Sequence, residues 1–162
     1  MAISSITKNM TDGEIKVADL TSPTPLEVTV QYEAGDFSLT GLTSGQKEIT
    51  TYLDRGDLGS VRATNRTFPS VGFSAHMTDI SDGTELTLPD IILQGGAFGS
   101  AISTLGANAD VYTLNVTWTV TEPGGASHVV VCNDVALAID FSEGDPNSFS
   151  LSGTVYGSIT MT

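Results

Sequence analysis

Basic side chains are scarce in this chain of 162 residues: six Lys and Arg stand against nineteen Asp and Glu, a net charge of −13 at neutral pH. Holding nucleic acid or an anionic membrane rests mainly on Lys and Arg, so neither is expected as a gripped partner. Cysteine is nearly absent. The lone Cys132 excludes an internal disulfide and any multi-cysteine zinc site. Set in Val129-Val130-Val131-Cys132, it reads as a small buried hydrophobe rather than a nucleophile. No apolar run approaches the ~20 residues that span a bilayer. The opening Met-Ala-Ile-Ser-Ser-Ile-Thr-Lys has no charged region followed by an apolar core, so a soluble protein made in a cytoplasm is expected.

Catalytic motifs are missing too. There is no Gly-x-Ser-x-Gly elbow, phosphate-binding loop or dinucleotide fingerprint. The two histidines, His76 and His128, have no second ligand at metal spacing. Trp118 is the only tryptophan, too little for the aromatic cleft of a glycosidase. The reading is therefore a protein that is not an enzyme, with no catalytic residue, no metal and no cofactor. Two carboxylate clusters, Asp79/Asp82/Glu85 and Asp140/Glu143/Asp145, have the hard oxygens calcium takes. Neither follows EF-hand spacing, and Asp-Gly turns serve as hairpin connectors without metal. Arg55-Gly56-Asp57 spells an adhesion tripeptide, but Asp54-Arg55-Gly56-Asp57 already reads as a tight turn.

What the chain does have is alternation. Leu26, Val28, Val30 and Tyr32 oppose Glu27, Thr29, Gln31 and Glu33; Tyr112, Leu114, Val116, Trp118 and Val120 oppose a polar, largely Thr set. Val129, Val131, Val135, Leu137, Ile139 and Phe141 share a parity interrupted at Asn133, and Phe149, Leu151, Val155, Ile159 and Met161 alternate with Ser and Thr through 148–162. Period two marks half-buried strands. Shorter strands are expected at 14–20, 36–40, 46–54 and 71–79, with Gly, Asp, Asn and Pro clusters between them. Only Leu86–Ala101 departs from this. Leu88, Ile91 and Ile92, with Pro89-Asp90 in a first turn and Gly95-Gly96 behind, predict a short helix over 88–94. The expected fold is one mainly β domain over 1–162, a sandwich or barrel of about eight or nine strands with one short flanking α-helix.

The polar positions point to assembly. Exposed strand residues usually include Lys and Glu that guard edges against unwanted pairing. Here they are mostly Ser and Thr, and 148–162 holds no charge at all. Such faces cost little to desolvate, and unguarded edges invite a neighbouring strand. Charge is also segregated: all six basic residues lie within the first 66 positions, and ten acidic residues follow Arg66 with no Lys or Arg among them.

The run Ile139-Asp140-Phe141-Ser142-Glu143-Gly144-Asp145-Pro146-Asn147, leading through Ser148-Phe149-Ser150-Leu151 to Val155-Tyr156-Gly157, resembles the end of the tail tube proteins of long-tailed, siphovirus-like bacteriophages. Asp36-Phe37-Ser38-Leu39-Thr40-Gly41-Leu42 resembles their early hairpin, and Val71-Gly72-Phe73-Ser74-Ala75-His76-Met77-Thr78-Asp79 their central strand before the helix. The resemblance covers about a third of the chain in three patches. It implies a virion structural protein of the tail, made in the host bacterial cytoplasm, that forms hexameric rings stacked into a hollow tube through which DNA passes without sticking. Implied partners are further copies of the chain, a tape measure protein, baseplate or distal tail proteins and a tail terminator. An arm reaching the next ring would map to 54–68, with Arg55, Asp57, Arg62 and Arg66 as inter-subunit contacts. Two alternatives stand beside this one: a capsid decoration protein, and a carbohydrate-binding β-sandwich or adhesin using an aromatic patch at Trp118, Tyr112 or Tyr156.

Overall fold

Alternating apolar and hydroxyl side chains produce a sheet with one buried and one wet face, and that sheet dominates the computed structural model, which describes residues 11–30, 36–122 and 125–162. In chain order the elements are β1 (Thr11–Ala18), β2 (Glu27–Thr29), β3 (Ser38–Thr40), β4 (Lys47–Asp54), β5 (Asp57–Arg66), β6 (Ser70–His76), α1 (Leu88–Leu93), β7 (Leu114–Thr121), β8 (Ser127–Ser142), β9 (Ser148–Val155) and β10 (Ile159–Met161). Eight strands form one antiparallel sheet in the order β2-β1-β7-β8-β9-β6-β3, with β10 also beside β8; among the described residues β4 and β5 pair only with each other. The expectation of a mainly β sandwich with one short helix therefore holds, with ten strands among the described residues. Tyr32 and its neighbours Gln31, Glu33, Ala34 and Gly35 lie outside those residues, as do Pro123 and Gly124.

The sheet folds over on itself. Phe37, just before β3, stacks on Trp118 of β7 with ring centroids 4.9 Å apart and planes 11° from parallel, although β3 and β7 are four places apart in the strand order. Between the layers lie Ile15, Val17, Val71, Phe73, Val116, Phe149 and Leu151, all nearly or wholly buried, and Leu88, Ile91 and Ile92 of α1 join the same core.

The turning point is in β8. Val116 of β7 pairs with Cys132 while Leu114 pairs with Val135, so Asn133 and Asp134 together oppose Asn115. This bulge holds Asp134 at φ 55, and the Asn115 side chain accepts the Asp134 N–H at 3.2 Å. An extra residue reverses the parity of everything before it. Cys132 and Val135 are thus both buried, and Val130 packs on the core. Val129 and Val131 share the opposite parity, which corrects the shared phase read from sequence. The partner strand breaks at the same level: β9 pairs with the second half of β8 and β10 with the first, and Tyr156–Ser158 cross the bulge between them. The single 148–162 strand is therefore two.

The helix ends one residue early. Thr87 caps its start, accepting the Asp90 N–H at 3.3 Å. Its end is not closed by a glycine as expected: Gln94 takes the left-handed conformation (φ 54), stabilised by a hydrogen bond from its side chain to the Ala101 carbonyl at 3.1 Å. Two buried carboxylates anchor the connecting loops. Asp19 accepts the backbone N–H groups of Thr21 (3.0 Å), Leu26 (2.7 Å) and Ile102 (3.0 Å) and the Thr21 hydroxyl. Asp90 accepts the Asp82 N–H at 3.0 Å, tying the loop before the helix to the helix itself.

Candidate functional site

Residues 47–66 form a two-stranded ribbon that leaves the sheet between β3 and β6. All ten residues of β5 are exposed, as are all residues of β4 except Thr50. The pairings Ile49–Ala63, Thr51–Val61 and Leu53–Leu58 put six side chains on one face. Thr50–Arg62 and Tyr52–Ser60 occupy the other, where the Arg62 guanidinium lies 6.0 Å over the Tyr52 ring. The ribbon is amphipathic, and its apolar face is open: Ile49 is 67% exposed, Leu53 and Leu58 65%, Val61 54%. Full burial of such a side chain is worth ~1.5–3 kcal/mol, and an isolated two-stranded hairpin is marginal in water.

The tip turns at Arg55 (φ 51) and Gly56 (φ 92), a left-handed pair suited to a two-residue hairpin loop. The tripeptide Arg55-Gly56-Asp57 is thus the turn itself. The root is braced on the body: Arg66 donates to the Tyr156 carbonyl at 2.9 Å and its guanidinium sits 5.1 Å from the Phe68 ring, which meets the Tyr156 ring edge-on at 5.2 Å. The four residues expected as inter-subunit contacts therefore divide: Arg55 and Asp57 form the tip, Arg62 lies along the polar face, and Arg66 is engaged with its own body.

The ribbon is longer than the arm expected over 54–68, because β4 belongs to it and Thr67–Pro69 lead back into β6. The second strand escaped sequence reading because Gly59 is bulged between the Tyr52–Ser60 and Leu53–Leu58 pairs, which breaks the period-two pattern. The signal that finds it is the turn Asp54–Asp57 with apolar residues on both sides.

The other sequence candidates are dispersed. Asp82 spends its carboxylate on the Thr84 N–H (2.7 Å), the Glu85 N–H (2.9 Å) and the Thr84 hydroxyl (2.8 Å), which holds its titration below the ordinary aspartate range. Among the described residues no three His, Cys, Asp or Glu side chains converge as metal ligands, and no helix is long and apolar enough to cross a membrane. Trp118 is committed to Phe37, and the Tyr112 hydroxyl donates to the Ile91 carbonyl at 2.8 Å; burial, aided by the charge of Asp19, raises its pKa. With Tyr156 against Phe68, the three aromatic residues of the carbohydrate reading stand on different elements. The His128 ring lies 3.1 Å from the Glu122 carboxylate beside the β7–β8 turn.

Compared with known proteins, the chain matches no family model, no curated protein and no solved structure.

Proposed function

We propose that this protein is a structural subunit that works by self-assembly, of the kind that stacks rings into the hollow tail tube of a long-tailed bacteriophage. The observation that carries the reading is the β4–β5 ribbon, twenty residues whose apolar face is left open by the other described residues. A surface of that kind on a soluble protein marks an interaction site. Ser and Thr on the outer strand positions and the scarcity of Lys and Arg fit a subunit covered by neighbours on several sides and a wall that phosphate does not adhere to. The sequence resemblance at 36–42, 71–79 and 139–157 supplies the choice of tail tube within that class, and with it a place in the virion.

Negative-stain electron microscopy of the purified protein across concentration and salt tests this. Rings or hollow tubes of uniform diameter are expected. A chain that stays monodisperse as single copies throughout overturns the reading in favour of a decoration or binding module.

A further inference from the structure

The two ends of β6 differ in chemistry. At Ser70 the strand receives the ribbon through Thr67–Pro69, and at His76 it runs into the loop 77–87; seven extended residues separate these points by ~20 Å. The far end is built from two segments held together, since His76 pairs with Ser148 and the Met77 N–H donates to the Asn147 carbonyl at 2.9 Å. Loop 77–87 and the adjoining stretch 140–147 carry Asp79, Asp82, Glu85, Asp140, Glu143 and Asp145 and no Lys or Arg. Among these carboxylates stand exposed apolar side chains: Ile80 (55%), Leu86 (45%) and Phe141 (48%).

The ribbon has the opposite character. It holds four of the six basic residues, Lys47, Arg55, Arg62 and Arg66, against three acidic ones, while the rest of the chain holds two basic residues against sixteen acidic. Both surfaces are exposed within one copy, so they do not cover each other there.

We infer that the ribbon of one copy lies, apolar face down, on the far end of β6 in the next copy, with Ile49, Leu53, Leu58 and Val61 over Ile80, Leu86 and Phe141, with Arg55 at the tip among the surrounding carboxylates, and with Arg62 on the outer face adding to the positive field of the ribbon. This rests on the self-assembly reading and names the surface that receives the ribbon. The two contacting surfaces are different parts of the chain, so the contact is heterologous and leaves each copy with a ribbon to give and a surface to receive the next. Charge complementarity selects the end of the neighbour and the apolar contact holds it.

Three full-length variants test the inference by sedimentation velocity at low salt: Arg55→Glu/Arg62→Glu, Asp79→Lys/Glu85→Lys/Glu143→Lys, and all five changes together. Every altered side chain is exposed, and coincident thermal melts verify the fold. Each partial variant alone is expected to associate at least tenfold more weakly than wild type. An equimolar mixture of the two, and the five-fold variant, are expected to regain wild-type association. If the ribbon variant loses association while the triple Lys variant keeps it, or the mixture restores nothing, the ribbon docks elsewhere: the inference fails and the self-assembly reading survives. If wild type does not associate, both fail. As a second measurement, Leu58→Cys and Leu86→Cys chains in a Cys132→Ser background should form a mixed disulfide on oxidation, and its absence in associating protein overturns the inference.

Discussion

Gly157 lies so close to the backbone of Asn133 that a β-carbon at this glycine would stand 2.5 Å from the Asn133 carbonyl oxygen. The Gly157 N–H donates to that same oxygen at 3.1 Å, and the Tyr156 N–H to the Asp134 carbonyl at 3.0 Å. The break between β9 and β10 is thus stitched to the bulge in β8, and only a residue without a side chain fits the seam. Gly157→Ala should lower stability by ~1–3 kcal/mol in denaturant unfolding, the usual cost of forcing a methyl group into packed backbone. Gly83→Ala, where nothing lies within 4 Å, is the control and should change little.

Asp19 makes a pH prediction. Burial alone would raise its pKa, but the hydrogen bonds from Thr21, Ile102 and Leu26 outweigh burial and hold it below the ordinary aspartate range. A carboxyl depressed in the folded state contributes its full stability above its unfolded pKa and loses it as pH falls through the folded value. Wild type should therefore lose stability progressively as pH drops below ~4, and Asp19→Asn should flatten that decline. Asp90, also lowered, continues the decline in the variant. Asp19→Ala leaves three backbone donors without their acceptor and should cost roughly 2–4 kcal/mol at neutral pH.

Cys132 predicts an inert thiol. It is fully buried, and burial pushes its pKa up to about 11. The thiolate is the reactive form, so alkylation of the native protein at pH 8 should be negligible over the time in which the unfolded protein reacts completely. Rapid labelling of native protein would contradict the burial.

Arg62 and Arg66 should separate two properties. Arg66→Ala removes the donor to the Tyr156 carbonyl and the contact with Phe68, so proteolysis within 47–66 should accelerate several-fold in single copies. Arg62→Ala leaves the root intact; its exposed site predicts a stability change within ~0.5 kcal/mol and a weaker self-association that added salt no longer reduces as strongly.

Much of the fold was legible because period two survives where one sheet face is dry. Leu114, Val116 and Val120 are buried as the alternation requires, and so are Phe149, Leu151 and Val155. The helix was legible from Pro89-Asp90 within an apolar stretch. Legibility ended at bulges. Asn133 shows locally only as a polar residue in an apolar parity; that Asn133-Asp134 hold an extra residue is defined only against Asn115 on another strand, and Gly59 hides β5 in the same way. The ribbon's apolar face was obscure for a different reason: Ile49, Leu53, Leu58 and Val61 have the composition of core residues, and sequence gives no sign that their chain leaves the core uncovered.

The strand order also carries a consequence for synthesis. β1 finds its long partner in β7, about a hundred residues later, and among the described residues β6 has only the three residues of β3 beside it until β9 arrives. A chain emerging from the ribosome can close the β4–β5 hairpin at once, because its strands adjoin, yet it cannot complete the body that carries it until residues 148–155 are made. During that interval the oily ribbon is present on many nascent chains whose receiving surfaces are incomplete. Pairings so distant in sequence form slowly, so low temperature or slowed translation during expression should raise the soluble yield, and truncation before Ser148 should send the product to aggregates.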